Sequence, residues 1–254
     1  MVKRILAAGV MAGWIISVGF VSAASAAPAV QKQFVLDKDG VYRLNDCTVK
    51  IFPDFEVSCG PINGVVVYSY DIKATDTRVP LSKMIKVKQD INALAGKTYL
   101  ELQVPDQPVR FVQGTSLAED GGIEITAGFI NPDGTDNTTV MAGSGMLRIN
   151  PVFRAFFSQR LKTGEIRKGQ LPENTPEQNA DLNAIGYPLW GAGDSLTLIY
   201  PDSKQGLTLE GKENNSINFM DRRGVSDNHL RMSIYPAAAG GKLHWIIRPV
   251  FSMQ

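Results

Sequence analysis

Very little of this chain is equipped for chemistry. Its whole supply of imidazole and thiol is His229, His244, Cys47 and Cys59. A structural zinc site takes about four nitrogen or sulfur ligands, so one metal would consume all of them, and no ligand spacing is present. Cys47 and Cys59 also lack the C-x-x-C spacing that lowers a thiol pKa. They fit a structural disulfide instead. The segment CTVKIFPDFEVSC, residues 47–59, folds on paper as a hairpin over Phe52-Pro53-Asp54. Cys47 then faces Cys59, Val49 faces Val57 and Ile51 faces Phe55 on one side. Thr48 faces Ser58 and Lys50 faces Glu56 on the other. One register satisfies all of these cross-strand pairs. Pro53 suits a three-residue turn poorly, so a wider turn is expected. A bridge closing such a loop is worth on the order of 3 kcal/mol.

The string Gly193-Asp194-Ser195-Leu196 spells the nucleophile block of a lipase and esterase family named after it. In that family the serine leads into a helix of an α/β fold, and a later Asp-x-x-His supplies the base. Here Ser195 enters the alternating run Leu196-Thr197-Leu198-Ile199-Tyr200, and Asp227-Asn228-His229 is one residue short of the base motif. A serine nucleophile needs a strained turn with a histidine in reach. The alternation predicts a Gly-Asp turn opening a strand. Leu243, Trp245 and Ile247 share one face of their run, which puts His244 on the other. His229 follows a polar turn and would need help from elsewhere to bind anything.

Paired carboxylates are the other route to catalysis, as in glycosidases. Glu101, Glu124, Glu210, Glu213 and Asp221 lie in or near strand-like runs, but nothing selects two of them, so no catalytic set is assigned. Asn131, Asp133, Asp136 and Asn137 form an oxygen-rich loop of the kind calcium favours. The spacing fits no EF-hand, and a hairpin loop is expected, with Asp133 and Asp136 as weak metal candidates. No motif calls for a cofactor. Arg148, Arg154, Arg160, Lys162, Arg167 and Lys168 make a basic tract interrupted by Glu165. It suits an acidic glycan or a partner, or simply a solvated face. Trp190, with Tyr187 and Pro188 before it, offers an aromatic to stack on a sugar ring or fill an interface pocket, or to anchor its own loop. Tyr187, Trp190, Arg160, Lys162, Arg167 and Lys168 are the candidate ligand or partner contacts.

The elements that must position these residues are mostly strands. Period-2 alternation bounded by Gly, Pro, Asn and Asp marks 64–72, 97–105, 121–130, 194–201, 230–236 and 242–251 as strand-like. Asp39-Gly40 is a hairpin signal. Two self-similarities stand out. Residues 195–209 resemble 231–245, and Ile-Asn-Pro-Val-Phe at 149–153 echoes Ile-Arg-Pro-Val-Phe at 247–251; convergent hairpin chemistry explains both, since Pro only stops a ladder. A polar excursion over 158–194 breaks the alternation. Within it Thr175, Pro176, Gln178 and Gly186 punctuate a short helix. Met84, Val87, Ile91 and Leu94 have helical spacing, although the first half of 82–96 reads equally as a strand. An outer-membrane barrel would need a regular series of longer amphipathic strands, which is lacking.

Lys3 and Arg4, the uncharged run from Ile5 to Val21 and Ala24-Ser25-Ala26 follow the order of a secretory signal peptide, with cleavage after Ala26. The run is short and Gly/Ala-rich for a span of about 20 residues. Losing Lys3 and Arg4 takes the formal net charge from +1 to −1, and a near-neutral chain has no electrostatic footprint for nucleic acid. An apolar fraction of 44% is enough for a core and argues against disorder. The expected architecture is an all-β antiparallel sandwich. It follows a leader at 1–26 and comprises a first part at 27–157, the excursion at 158–194 and C-terminal hairpins at 195–254. Those hairpins complete the sandwich or form a second small β module. The expected function is non-catalytic. It is that of an exported bacterial envelope or cell-surface protein in binding or assembly, of pilus-subunit or adhesin type, meeting a protein or a glycan. The alternative is a secreted carbohydrate-active enzyme or other hydrolase using carboxylates on the sandwich face.

Overall fold

The computed structural model describes residues 33–52, 55–72, 83–137, 140–149, 155–171, 192–222, 229–237 and 241–251. The expected leader, Pro53 and Asp54, Arg154, the expected helix, Tyr187 and Trp190 lie outside the described residues. No α-helix occurs among those described. The strands are β1 (Val35–Leu36), β2 (Val41–Leu44), β3 (Cys47–Lys50), β4 (Phe55–Cys59), β5 (Ile62–Ile72), β6 (Ile85–Asn92), β7 (Lys97–Gln103), β8 (Arg110–Leu117) and β9 (Ile123–Ile130). They continue as β10 (Val140–Ile149), β11 (Phe156–Leu161), β12 (Ile166–Gln170), β13 (Ala192–Ile199), β14 (Gly206–Gly211), β15 (Ser216–Asp221), β16 (Leu230–Tyr235) and β17 (Leu243–Val250).

All pairing is antiparallel, so the all-β class read from the alternation holds. One half of the sheet runs β6, β7, β8, β9, β17, β14, β13, β11, β12, the β6–β12 side. The other runs β15, β16, β10, β5, β4, β3, β2, β1. The halves join where Ala192 and Gly193 of β13 pair with β15. The sheet therefore turns a corner along β13 and comes close to closing as a barrel, with its two halves as two sides. A Cβ at Gly193 would strike the Arg160 carbonyl oxygen, so glycine is what lets the backbones approach at this corner.

The core lies between the two sides. Phe55 stacks against Trp245 with centroids 5.8 Å apart, and Tyr68 meets Phe111 at 5.2 Å. The Tyr42 hydroxyl on β2 donates to the Gly96 carbonyl at 3.1 Å and pairs with Thr115 Oγ1 at 2.7 Å. These contacts tie β2, β4 and β5 to the β6–β7 turn, β8 and β17 across the interior.

The cysteine hairpin has the register expected of it: Cys47 pairs with Cys59, Thr48 with Ser58, Val49 with Val57 and Lys50 with Glu56. Cys47 and Cys59 are disulfide-bonded and buried. Lys50 and Glu56 form an ion pair at 3.7 Å on the exposed side. Asp37 to Gly40 forms the turn before β2, with Gly40 at φ 81°.

Several expectations are corrected. The helical spacing at 84–94 is not realised: Ile85–Asn92 is a strand, with a bulge between Lys86 and Lys88. Its β-branched Ile85, Val87 and Ile91 favour the extended backbone, and Leu94 is fully exposed in the turn that follows. The polar segment from 158 begins within the sheet, in β11, which pairs with β13 on one side and β12 on the other. The repeat-like pair, by contrast, diverges as convergent turn chemistry implies. β13 and β14 form a true hairpin, whereas β16 pairs with β10 and β15 while β17 pairs with β9 and β14. The similarity is therefore one of local turn chemistry.

Candidate functional site

The register places chemistry on the outer face of the β6–β12 side. Inward residues of β17, Leu243, Trp245 and Ile247, are buried. His244 and Arg248 alternate with them and face outward, as the sequence implied for His244. Following the pairings sideways, one outward row reads Asp90, Tyr99, Gly114, Thr126, His244. A second reads Lys168, Ser158, Thr197, Thr208, Arg248.

Each row floors a groove. The first groove, about 490 Å³, is also lined by Asn92, Lys97, Ser116 and Glu124. Gly114 opens it: a Cβ there would lie 3.1 Å from Thr126 Oγ1, and any larger side chain would fill the space between Tyr99 and Thr126. Lys88 Nζ sits 5.4 Å from the Tyr99 ring centroid. The second groove is larger, about 1030 Å³. Its floor is a shelf of hydroxyls, with Thr197 Oγ1 and Thr208 Oγ1 2.8 Å apart. Phe156, Ile199, Val250 and Phe251 wall one side. The first volume falls within the range of small-molecule sites, about 300–1,000 Å³, and the second lies at its upper limit.

A charge network separates the grooves. Arg248 reaches Asp120 at 2.6 Å and Glu210 at 2.5 Å, and Lys212 reaches Glu210 at 2.8 Å. The Arg248 hydrogen bond is the largest influence on Asp120. Joined by the Gly122 N–H, it outweighs burial and holds that carboxyl below its ordinary value. Burial is the largest influence on Glu210 and pushes it up, but Lys212 and Arg248 together leave it lowered. Beside them His244 sits between Glu124, 2.7 Å from Nε2, and Glu213, 3.3 Å from Nδ1. Glu213 and Asn214 take positive φ, 49° and 63°, in the turn after β14. That turn closes through the Asn215 N–H and the Lys212 carbonyl, and it swings Glu213 back onto β17. Non-glycine residues in this region cost free energy, here offset by the Asn215 side chain bonding Lys212 and His244.

This arrangement is not that of a carboxylate pair poised for hydrolysis. Glu124 and Glu213 approach each other only across an imidazole, which fills the gap a glycosidic bond would need. Glu101 is buried against Arg110 at 2.6 Å. Ser195 lies mid-strand, between Arg160 and Glu210 in register, so Gly193–Leu196 presents no nucleophile turn. His229 is buried next to β16.

The other sequence candidates separate. Lys168 lines the second groove. Arg160 and Lys168 share the outward face of β11 and β12, whereas Arg167 pairs with Gln159, which is buried, and bonds Glu165 at 2.9 Å. Lys162 donates to the Asn214 carbonyl at 2.8 Å. The tract is thus divided between two faces and a turn. Asp133 accepts from the Thr135 N–H and hydroxyl, and Asp136 pairs with Lys242 at 2.8 Å. Both carboxylates thus serve their own loop and its neighbour. Among the described residues no group of three or more His, Cys, Asp or Glu converges to hold a metal. Tyr99, Gly114, Ser158, Thr197 and Thr208 were missed by the sequence reading, because hydroxyls alternating with apolar residues look like any solvated strand face.

No protein-family model matches the chain, and no curated protein matches it. Among solved structures it is similar to the Slr1438 protein of Synechocystis sp. PCC 6803, at 11% identity and a TM-score of 0.40, over 87% of this chain and 99% of that one.

Proposed function

We propose that this chain is a non-catalytic, exported protein of the bacterial envelope or cell surface that binds glycan through the outer face of its β6–β12 side. The observation that carries the reading is the second groove, where a shelf of Ser158, Thr197 and Thr208 hydroxyls runs between an aromatic and aliphatic wall and Lys168. Hydroxyls that both donate and accept match a polyol, and an apolar wall beside them matches the CH face of a sugar ring. Export rests on the expected leader. The buried disulfide suits an oxidising compartment, and no helix among the described residues is long and apolar enough to cross a membrane.

Binding through this face is preferred to assembly by strand addition. The C-terminal strand offers no edge, because β17 is paired on both sides. Among the described residues the edge strands are β1, only two residues long, and the longer β6 and β12. β6 carries Lys86, Lys88 and a bulge, and β12 carries Arg167 and Lys168. Lysines and bulges are devices that discourage edge-to-edge pairing. The hydrolase alternative draws no support from the engaged carboxylates. The test is a glycan array and an envelope pull-down with the mature protein, repeated with Lys168→Glu. Saturable glycan binding that the substitution weakens supports the reading. Capture of a protein partner through β6 or β12, with no glycan bound, overturns it.

A further inference from the structure

We infer that the two grooves are the ends of one track and that the ligand is a linear polysaccharide lying across the strands. This rests on the glycan reading above. The grooves share one face, because their rows meet on the outward side of β17 at His244 and Arg248. Between them the row through Ser116, Glu124, Ile246, Glu210, Ser195 and Arg160 is unbroken across β8, β9, β17, β14, β13 and β11. At a strand spacing of about 4.8 Å, the path from Tyr99 on β7 to Lys168 on β12 covers roughly 34 Å. A single sugar unit cannot touch both ends, but a chain can.

The chemistry at the two ends suits the same kind of ligand. Each groove sets an aromatic ring, Tyr99 in one and Phe156 in the other, beside Ser and Thr hydroxyls. The charged groups between them are held by one another: Asp120 and Glu210 hold Arg248, Lys212 holds Glu210, and His244 sits between Glu124 and Glu213. The middle of the track is therefore fixed in place and carries more carboxylates than lysine and arginine, around the buried Ile246, which suits a hydroxyl-rich chain better than a polyanion. Each groove alone is open and shallow. Occupying both along one chain raises affinity through effective concentration, by on the order of a hundredfold.

The experiment measures binding of the mature full chain to size-fractionated fragments of its host's envelope polysaccharide, from disaccharides upward. The inference expects affinity to rise on the order of a hundredfold once fragments are long enough to span both grooves, then level off. Gly114→Val, which fills the first groove, and Lys168→Glu, in the second, should each return long fragments to the affinity of short ones. Tyr99→Ala replaces Gly114→Val as the first-groove test should valine at 114 unfold the strand. Length-independent affinity, or long-fragment binding that survives both first-groove variants, overturns the single track while leaving a one-groove site standing. No binding at any length overturns the glycan reading with it.

Discussion

At the residue scale, Arg248 does the most work on the outer face. It joins β17 to the loop before β9 through Asp120 and to β14 through Glu210. Both carboxyls are held below their ordinary values of 3.8 and 4.5 in the folded protein. They therefore bind protons less readily folded than unfolded. Their stabilisation is fully present above those ordinary values and is lost as pH falls through the lower folded ones. Arg248→Met should be less stable than the parent at neutral pH and should lose less on acidification below pH 4.5. Urea denaturation at neutral and acid pH, parent beside variant, measures this, and parallel pH profiles would refute it. The cysteines give a second residue-scale outcome. The double substitution of Cys47 and Cys59 by alanine should lower stability by about 2–4 kcal/mol, read by the same denaturation at neutral pH. The disulfide was legible because its partners are near in sequence and one register satisfies every neighbour. The Glu124–His244–Glu213 contact was not, because it depends on β9 and on a positive-φ turn that brings Glu213 back.

Strands and turns obey the same division. Where alternation is clean, as at 97–105 and 242–251, the strand and its inward face follow directly from the sequence. Which neighbour a strand takes does not follow, and the repeat-like segments show why. The two Ile-Tyr-Pro stretches are alike, yet only β13 turns back onto the strand that follows it. The second pair is pulled apart because β16 and β17 find partners on opposite sides of the corner. β6 is the element whose sequence misled, since Met84, Val87, Ile91 and Leu94 have helical spacing. Its exposed Ile85 and Val87 on an open edge would invite pairing with another chain, were it not for Lys86, Lys88 and the bulge. Replacing Lys86 and Lys88 together by valine should convert the protein to a self-associating form, seen as a concentration-dependent rise in sedimentation coefficient. A variant that stays in the parent's oligomeric state would show that charge is not what keeps this edge open.

For the whole molecule, composition and turn spacing were enough to give an all-β fold with a real core. The route by which one sheet bends along β13 to make both sides was beyond them, because it rests on Gly193 and two paired residues. The interior depends on contacts across those sides, and Trp245, the largest fully buried side chain among the described residues, makes one of them with Phe55. Trp245→Ala should cost about 3–5 kcal/mol, measured as a lowered denaturation midpoint, and a loss under about 1 kcal/mol would mean that the two sides do not share a core. Such a core holds the outer face still, which is what lets hydroxyls from β11, β13 and β14 stand in one row. The central claim is that this face, and not a strand edge, makes the functional contact. Titration calorimetry with the host's envelope polysaccharide, run on the parent, on Lys168→Glu and on the paired Lys86 and Lys88 substitution to glutamine, tests it most directly. The account predicts saturable binding by the parent and the β6 variant and weakened binding by Lys168→Glu. Binding that Lys168→Glu leaves unchanged and the β6 variant abolishes would contradict it.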